Sequence, residues 1–216
     1  MKFPNAFNGS KKILLAEILA LIAAVLVMIA GITLGGTIAN AVETNNGDAV
    51  IGGAIGAGAL ILVGGIAAIV AFVVEIIGIN ACAKDEPSFK TALYAILAGI
   101  VASVISSATS KSDQISVVSE IFSVISSIAS LAATVLVIKG FITLANRLDR
   151  SDIAASGNTT LYICVAASAV SIIASIIGVA AKSTAIPMAI ISGVTSIASL
   201  VIFILFLKKS KDMLAA

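Results

Sequence analysis

The strongest constraint on this chain is a set of six apolar stretches, each close to the length needed to cross a lipid bilayer as a helix. A helix rises about 1.5 Å per residue, so about 20 apolar residues cover a hydrocarbon core roughly 30 Å thick. The sequence therefore predicts an all-α, polytopic membrane protein with six transmembrane helices in a single domain. The stretches cover residues 13–34, 49–83, 92–108, 121–145, 161–181 and 186–207.

The composition excludes the main alternatives to a membrane protein. Of the 216 residues, 60% are hydrophobic and only 11% are charged, and the mean hydropathy is +1.19. Soluble domains carry about 45–50% apolar and about 25% charged residues. Since so few charges cannot cover a water-facing surface, a soluble enzyme, a disordered chain and a secreted disulfide scaffold are all excluded.

The positions of the basic residues predict the orientation. Cytoplasmic loops of membrane proteins carry an excess of Lys and Arg. Here eleven of the thirteen basic residues fall on the side that holds both termini and the second and fourth loops, whereas only Lys111 and Lys182 fall on the other side. We therefore expect a cell-membrane protein with both termini in the cytoplasm and the lipid bilayer as its first partner.

Short internal repeats predict three tandem helical hairpins, at approximately residues 11–84, 90–150 and 158–211. The sequence TALY at 91–94 is followed by TTLY at 159–162, and SIASL occurs at both 127–131 and 196–200. Each hairpin starts and ends on the basic side. These are therefore parallel repeats, not the inverted repeats of many alternating-access transporters.

The first predicted hairpin is rich in glycine, with ten of the seventeen glycines between residues 31 and 65. Gly31 with Gly35, and Gly52 with Gly56, each form a Gly-x-x-x-Gly pair, which allows close approach of two membrane helices. We predict that these four glycines pack helices together. The alternative is that residues 52–58 form a broken or re-entrant stretch that lines a cavity.

Three ionisable residues fall inside the apolar stretches: Glu17, Glu75 and Lys139. Such residues are costly in the membrane and usually face a partner or water. Counted from the nearest cytoplasmic basic residue, Glu75 and Lys139 lie at similar depth, so we predict an ion pair between the second and fourth helices. Glu17 lies nearer the cytoplasmic interface and could join the pair. The alternative is that Lys139 extends to the headgroups while Glu75 is protonated or wetted by a local water defect. A further possibility is that Glu75 belongs to a proton or cation site.

Serines recur at steps of three and four along the last four helices, and this spacing places each set on one helix face. Ser126 and Ser130 in the fourth stretch, and Ser196 and Ser199 in the sixth, are examples. Small faces of this kind usually serve helix packing and interhelical hydrogen bonds in lipid. The alternative use is a path lined by hydroxyl groups.

The residues of common catalytic and binding motifs are missing from the sequence. The chain has no His, which removes the commonest general base and metal ligand. Cys82 and Cys164 are the only thiols, too few for a thiolate zinc site, and no Gly-rich loop precedes Lys-Ser or Lys-Thr. We therefore predict no enzyme activity, no cofactor, no metal site and no nucleic-acid partner.

Two function classes remain. The first, which we predict, is an accessory or scaffold subunit that acts through other membrane proteins or through self-association. The second, the alternative, is a small-solute transporter or substrate-binding membrane subunit. Ala16, Ala20 and Ala24 repeat at the Ala-x-x-x-Ala spacing, which is similar to a pattern in the first helix of the substrate-binding subunits of energy-coupling vitamin transporters. A polar interior cavity would favour the second class, and a sealed core would favour the first.

Cysteine labelling tests the predicted orientation. In a cysteine-free background, single cysteines at Asn46, Ser112 and Ser183 should react with an impermeant thiol reagent on intact cells. Cysteines at Ser88 and Ser151 should react only after the membrane is permeabilised, because they follow basic cytoplasmic segments. Labelling of position 88 from outside would invert the topology.

Overall fold

The computed structural model describes residues 2–44, 47–109, 117–180 and 185–215, and these residues form six long helices with short connections. The sequence positions 46, 112 and 183 discussed above lie outside the described residues. The six helices are α1 (Pro4–Thr44), α2 (Gly47–Cys82), α3 (Ser88–Thr109), α4 (Val117–Arg147), α5 (Ser151–Ala180) and α6 (Ala185–Ala215).

The predicted all-helical class is confirmed, since each of these six helices contains a segment long and apolar enough to cross a membrane. Several helices extend beyond the apolar stretches. For example, α1 starts at Pro4 and α6 continues to Ala215. Hydropathy marks only the part of a helix that is compatible with lipid. The helices continue beyond that part because Lys is a good helix former and Pro suits the first helical turn. Residues 52–58 lie inside the uninterrupted helix α2, so the re-entrant alternative does not describe this structure.

Contacts between consecutive helices show how the bundle is built. In α1 and α2, Gly9 lies against Gly78 near one end, and Ala23 lies against Gly64 farther along, so the two helices run antiparallel. Helices α3 and α4 pack in the same way, as do α5 and α6. Further contacts join α2 to α3, α4 to α5, and α1 to α6. Each helix therefore contacts its neighbours in sequence, and the contact between α1 and α6 closes a ring.

The main apolar core lies at one end of this ring, which we call the basic end because residues 84–90, 147–150 and 208–211 lie there. Phe89 of α3, Phe141 of α4 and Phe206 of α6 are fully buried there. The ring centroids of Phe89 and Phe141 are 5.0 Å apart, and those of Phe141 and Phe206 are 6.3 Å apart, both edge to face. This is a favourable geometry for aromatic pairs. Ile13, Ile79 and Leu144 complete the fully buried layer.

A network of hydrogen bonds and an ion pair connects three segments of the chain at the basic end. Arg147 at the end of α4 forms a 2.7 Å ion pair with the buried carboxylate of Glu86, in the connection before α3. The neighbouring Asp85 accepts hydrogen bonds from the Asn5 side chain at 2.9 Å and the Ala6 backbone N–H at 2.7 Å. Because Asp85 is negative and sits at the start of α1, it also complements the helix dipole. The network links the first turn of α1, the α2–α3 connection and the end of α4.

The close-packed glycines are not the predicted four. A Cβ atom added at Gly31, Gly35, Gly52 or Gly56 would meet no atom within 4 Å, and all four residues are exposed. Close backbone approach occurs instead nearer the basic end, where Gly78 packs against α1. The Gly-x-x-x-Gly spacing identifies a small helix face but not whether a second helix reaches it.

Two alanine substitutions test this distribution of packing. In Gly78→Ala, the new Cβ would lie 2.9 Å from both the Gly9 carbonyl oxygen and the Ile13 backbone nitrogen, so α1 must move. Overpacking of this kind costs about 1–3 kcal/mol, and thermal unfolding in detergent should show a lower midpoint. Gly52→Ala is the matched control and should be neutral or slightly stabilising, because Ala favours helix over Gly. Equal destabilisation by both changes would contradict the structure.

Candidate functional site: an interhelical vestibule

Away from the basic end, the six helices border adjoining half-open cavities, which we together call the vestibule. Four cavities between the helices have volumes of about 340, 370, 330 and 400 Å³. They share lining residues: Thr134 borders three of them, and Glu17 and Glu75 each border two. The vestibule therefore reaches all six helices and has the size of a small-molecule site.

Hydroxyl groups line the vestibule, and they come from the predicted serine stripes. Some of them also join helices: the hydroxyls of Ser103 and Ser126 are 2.7 Å apart across α3 and α4, and Ser126 donates to the Gly99 carbonyl at 3.1 Å. The stripes thus serve packing and also border open space. The lining hydroxyls include those of Ser126, Ser130, Thr134, Ser168, Ser196 and Ser199.

Two carboxylates lie at the inner part of the vestibule. Glu17 of α1 is only 9% exposed, and Glu75 of α2 is half-buried. Both line the cavity between these helices. The antiparallel packing of α1 and α2 places Glu17 and Glu75 at similar heights. The contact between Ile13 and Gly78 lies nearer the basic end than the two glutamates, and the contact between Ala23 and Gly64 lies farther from it.

These two carboxylates have no hydrogen-bond donor in the described part of the chain. The ion pairs found among the described residues lie elsewhere, between Arg147 and Glu86, Arg150 and Asp152, and Lys211 and Asp212. A carboxylate taken out of water without a donor or counter-charge is costly. Two such carboxylates at one cavity therefore favour a binding site in which the ligand supplies the missing donor or counter-charge.

The structure does not bring Lys139 to Glu75, so it differs from the predicted ion pair. Lys139 is exposed on the outside of α4, while its neighbours Ile138 and Phe141 are in the core. Helix α4 packs mainly on α3 and α5, whereas α2 packs on α1 and α3. Equal depth along two helices fixes neither their rotation nor their order around the ring. Glu17, which was expected only as a third member, is the residue that meets Glu75.

Apolar residues that sequence reasoning did not single out complete the lining. Phe203 borders the same cavity as Glu17, and Phe72 borders both cavities that contain Glu75. Phe72 precedes Glu75 by three residues, so helical spacing alone places the two on one face. Phe203 has no such signal, because its position depends on how α6 packs against α1. Below Phe203, the aromatic core closes the vestibule at the basic end.

Two of the predicted packing glycines extend the lining of α1 towards the open end. Ala24 and Met28 border the vestibule, and steps of three and four residues continue this face to Gly31 and Gly35. Among the described residues, no atom lies within 4 Å of a Cβ added at either glycine. Gly52 and Gly56 of α2 lie on a different face, beside exposed residues such as Val63 and Ile66.

No sequence model of a protein family matches the chain, and no curated protein or solved structure matches it. The function is therefore inferred from the geometry and chemistry of the vestibule. Those features are a space of small-molecule size, hydroxyl groups on α3 to α6, and two carboxylates, of which Glu17 is buried and Glu75 is half-buried.

Proposed function

We propose that the chain is a multi-pass protein of the cell membrane that binds a small solute in the vestibule, as a transporter or a substrate-binding membrane subunit. The observation that carries this proposal is that the cavity between α4, α5 and α6 is lined mostly by hydroxyl side chains although the helices themselves are apolar. A bundle that only needed to pack would be served by Ala and Gly faces, which are abundant here. The hydroxyls and carboxylates supply directional contacts that a bound solute can use.

The energetic cost of Glu17 and Glu75 supports the same proposal. An ionisable residue near the centre of a membrane helix costs roughly 2.5–3.5 kcal/mol on insertion scales and usually marks a site or a pathway. Both residues lie within spans and both border the vestibule. This placement is expected for residues that contact a ligand or the water around it.

The orientation proposed with this function follows from the charge asymmetry of the sequence. The basic end faces the cytoplasm, both termini are cytoplasmic, and the chain forms three tandem hairpins over residues 11–84, 90–150 and 158–211. The vestibule then opens away from the cytoplasm, and the aromatic core separates it from the cytoplasmic side. The function is non-enzymatic, because the proposed step is the binding of a solute and no bond is made or broken.

A second candidate function is an accessory or scaffold subunit that binds another membrane protein. The observation that favours it is the exposed Gly-x-x-x-Gly face of α2, where no described part of the chain covers Gly52 or Gly56. Such a face can receive a helix of a partner or of a second copy in lipid. This function requires no solute in the vestibule.

Native mass spectrometry of the protein, purified from its own membrane in a mild detergent, tests the proposal. The expected result is a retained small molecule that is lost in Ser196→Leu, because the larger side chain fills the vestibule next to Ser168 and Ser199. Thr159→Leu is the matched control, since Thr159 is an exposed α5 residue outside the vestibule, and it should keep the molecule. Recovery of a stoichiometric partner protein with no small molecule would contradict solute binding and favour the second candidate.

A further inference from the structure

We infer that the Glu17 and Glu75 carboxylates form a binding site for a small organic ammonium ion whose apolar part lies against Phe72. This inference rests on the proposed solute-binding function and specifies the class of solute. Its starting point is the meeting of two acidic side chains inside one cavity, with Glu17 nine-tenths buried.

The charge balance of the vestibule calls for a cation. Among the described residues that line it, the charged ones are Glu17 and Glu75, and none is Lys or Arg. The other helices packed around this space, α3 to α6, contribute hydroxyls and apolar side chains. Two ionised carboxylates in one cavity repel each other, and without a counter-charge one of them takes up a proton instead. A cation that sits between the two carboxylates removes the repulsion and supplies the missing hydrogen-bond donors.

The shape and lining favour an organic cation over a bare metal ion. No group of three or more His, Cys, Asp or Glu residues in the described chain could hold a metal. The cavities of 330–400 Å³ exceed the space of one water molecule, about 30 Å³, by roughly tenfold. They therefore accommodate a molecule of several heavy atoms around the charge.

Phe72 completes the match to an ammonium ion with an apolar tail. It lines the cavity that contains both carboxylates, whereas Phe203 lies in a separate cavity beside Glu17. An ammonium group is attracted both by carboxylates and by aromatic faces, and Phe buries apolar surface of the tail. Hydroxyls such as that of Thr134 can accept remaining N–H groups.

Calorimetric titration of the full chain in lipid nanodiscs tests the inference with three probes of nearly equal shape: benzylammonium, benzyl alcohol and benzoate. We expect benzylammonium to bind at least about tenfold more tightly than the neutral and anionic probes, because truncating or removing one member of a buried charge pair typically costs that much or more. Glu17→Gln and Glu75→Gln should each remove most of this preference. Lys139→Met is the matched control and should bind benzylammonium as the unmodified chain does, because Lys139 is exposed outside the vestibule.

A second measurement needs no substitution and so does not depend on the folding of a variant. A hydrophobic carbodiimide should modify Glu17 and Glu75 in the unmodified chain, and benzylammonium, but not benzyl alcohol, should protect them. Glu86 provides an internal control, because it is buried but paired with Arg147 at the basic end, and its labelling should not respond to benzylammonium.

The outcomes separate this inference from the proposed function. Equal binding of benzylammonium and benzyl alcohol, with both lost in Ser196→Leu, would overturn the cation site while leaving solute binding in the vestibule intact. Absence of binding by all three probes, with no protection from the carbodiimide, would overturn the cation site. If the purified protein also lacked a retained solute, the proposed function would fail with it.

Discussion

The rest of the structure depends on the packing of three phenylalanines at the basic end. In lipid there is no hydrophobic force between helices, so close contact and hydrogen bonds must hold them together. Here the ring of Phe89 packs on Gly140, where an added Cβ would lie 2.7 Å from the ring. The ring of Phe206 packs on Gly157, where an added Cβ would lie 3.0 Å from the ring. These ring-on-glycine contacts join α3 to α4 and α5 to α6, and Phe141 connects the two sets.

Because the aromatic core lies at one end, the other halves of α3 to α6 border open space, whereas α1 and α2 remain in contact farther along, where Gly53 lies against Thr37. The buried side chains of α3, α4 and α6 are concentrated towards the basic end, whereas large apolar residues farther along are exposed, including Val104, Ile128 and Val194. A bundle of uniform packing density would have no room for the vestibule. The position of the aromatic core thus determines both where the vestibule begins and which of its ends is closed.

The sequence predicted the helices well and their mutual rotation poorly. Six spans follow from hydropathy, because each apolar stretch must satisfy its own backbone hydrogen bonds in lipid. The depth of Glu75 was also readable, since rise per residue is fixed. Which residue faces it was not, because depth counted from the nearest basic residue favoured Lys139 and placed Glu17 nearer the interface, whereas the packing of α1 on α2 brings Glu17 to the same cavity. The glycines show the same limit: Gly52 and Gly78 look equivalent as small residues, but only Gly78 meets a neighbouring helix. Contacts between helices depend on the order of the helices around the ring and on the rotation of each helix about its own axis. Local sequence patterns encode neither.

The central claim is that the space between the helices contains water, and electron spin echo modulation by D₂O tests it directly. A spin label at Ser196, which lines the vestibule, should show strong deuterium modulation in nanodiscs. A label at Ile173, which is 57% exposed on α5 at similar height but outside the vestibule, should show weak modulation because lipid surrounds it. Equally weak modulation at both positions would mean a dry, lipid-filled or collapsed interior and would contradict the account.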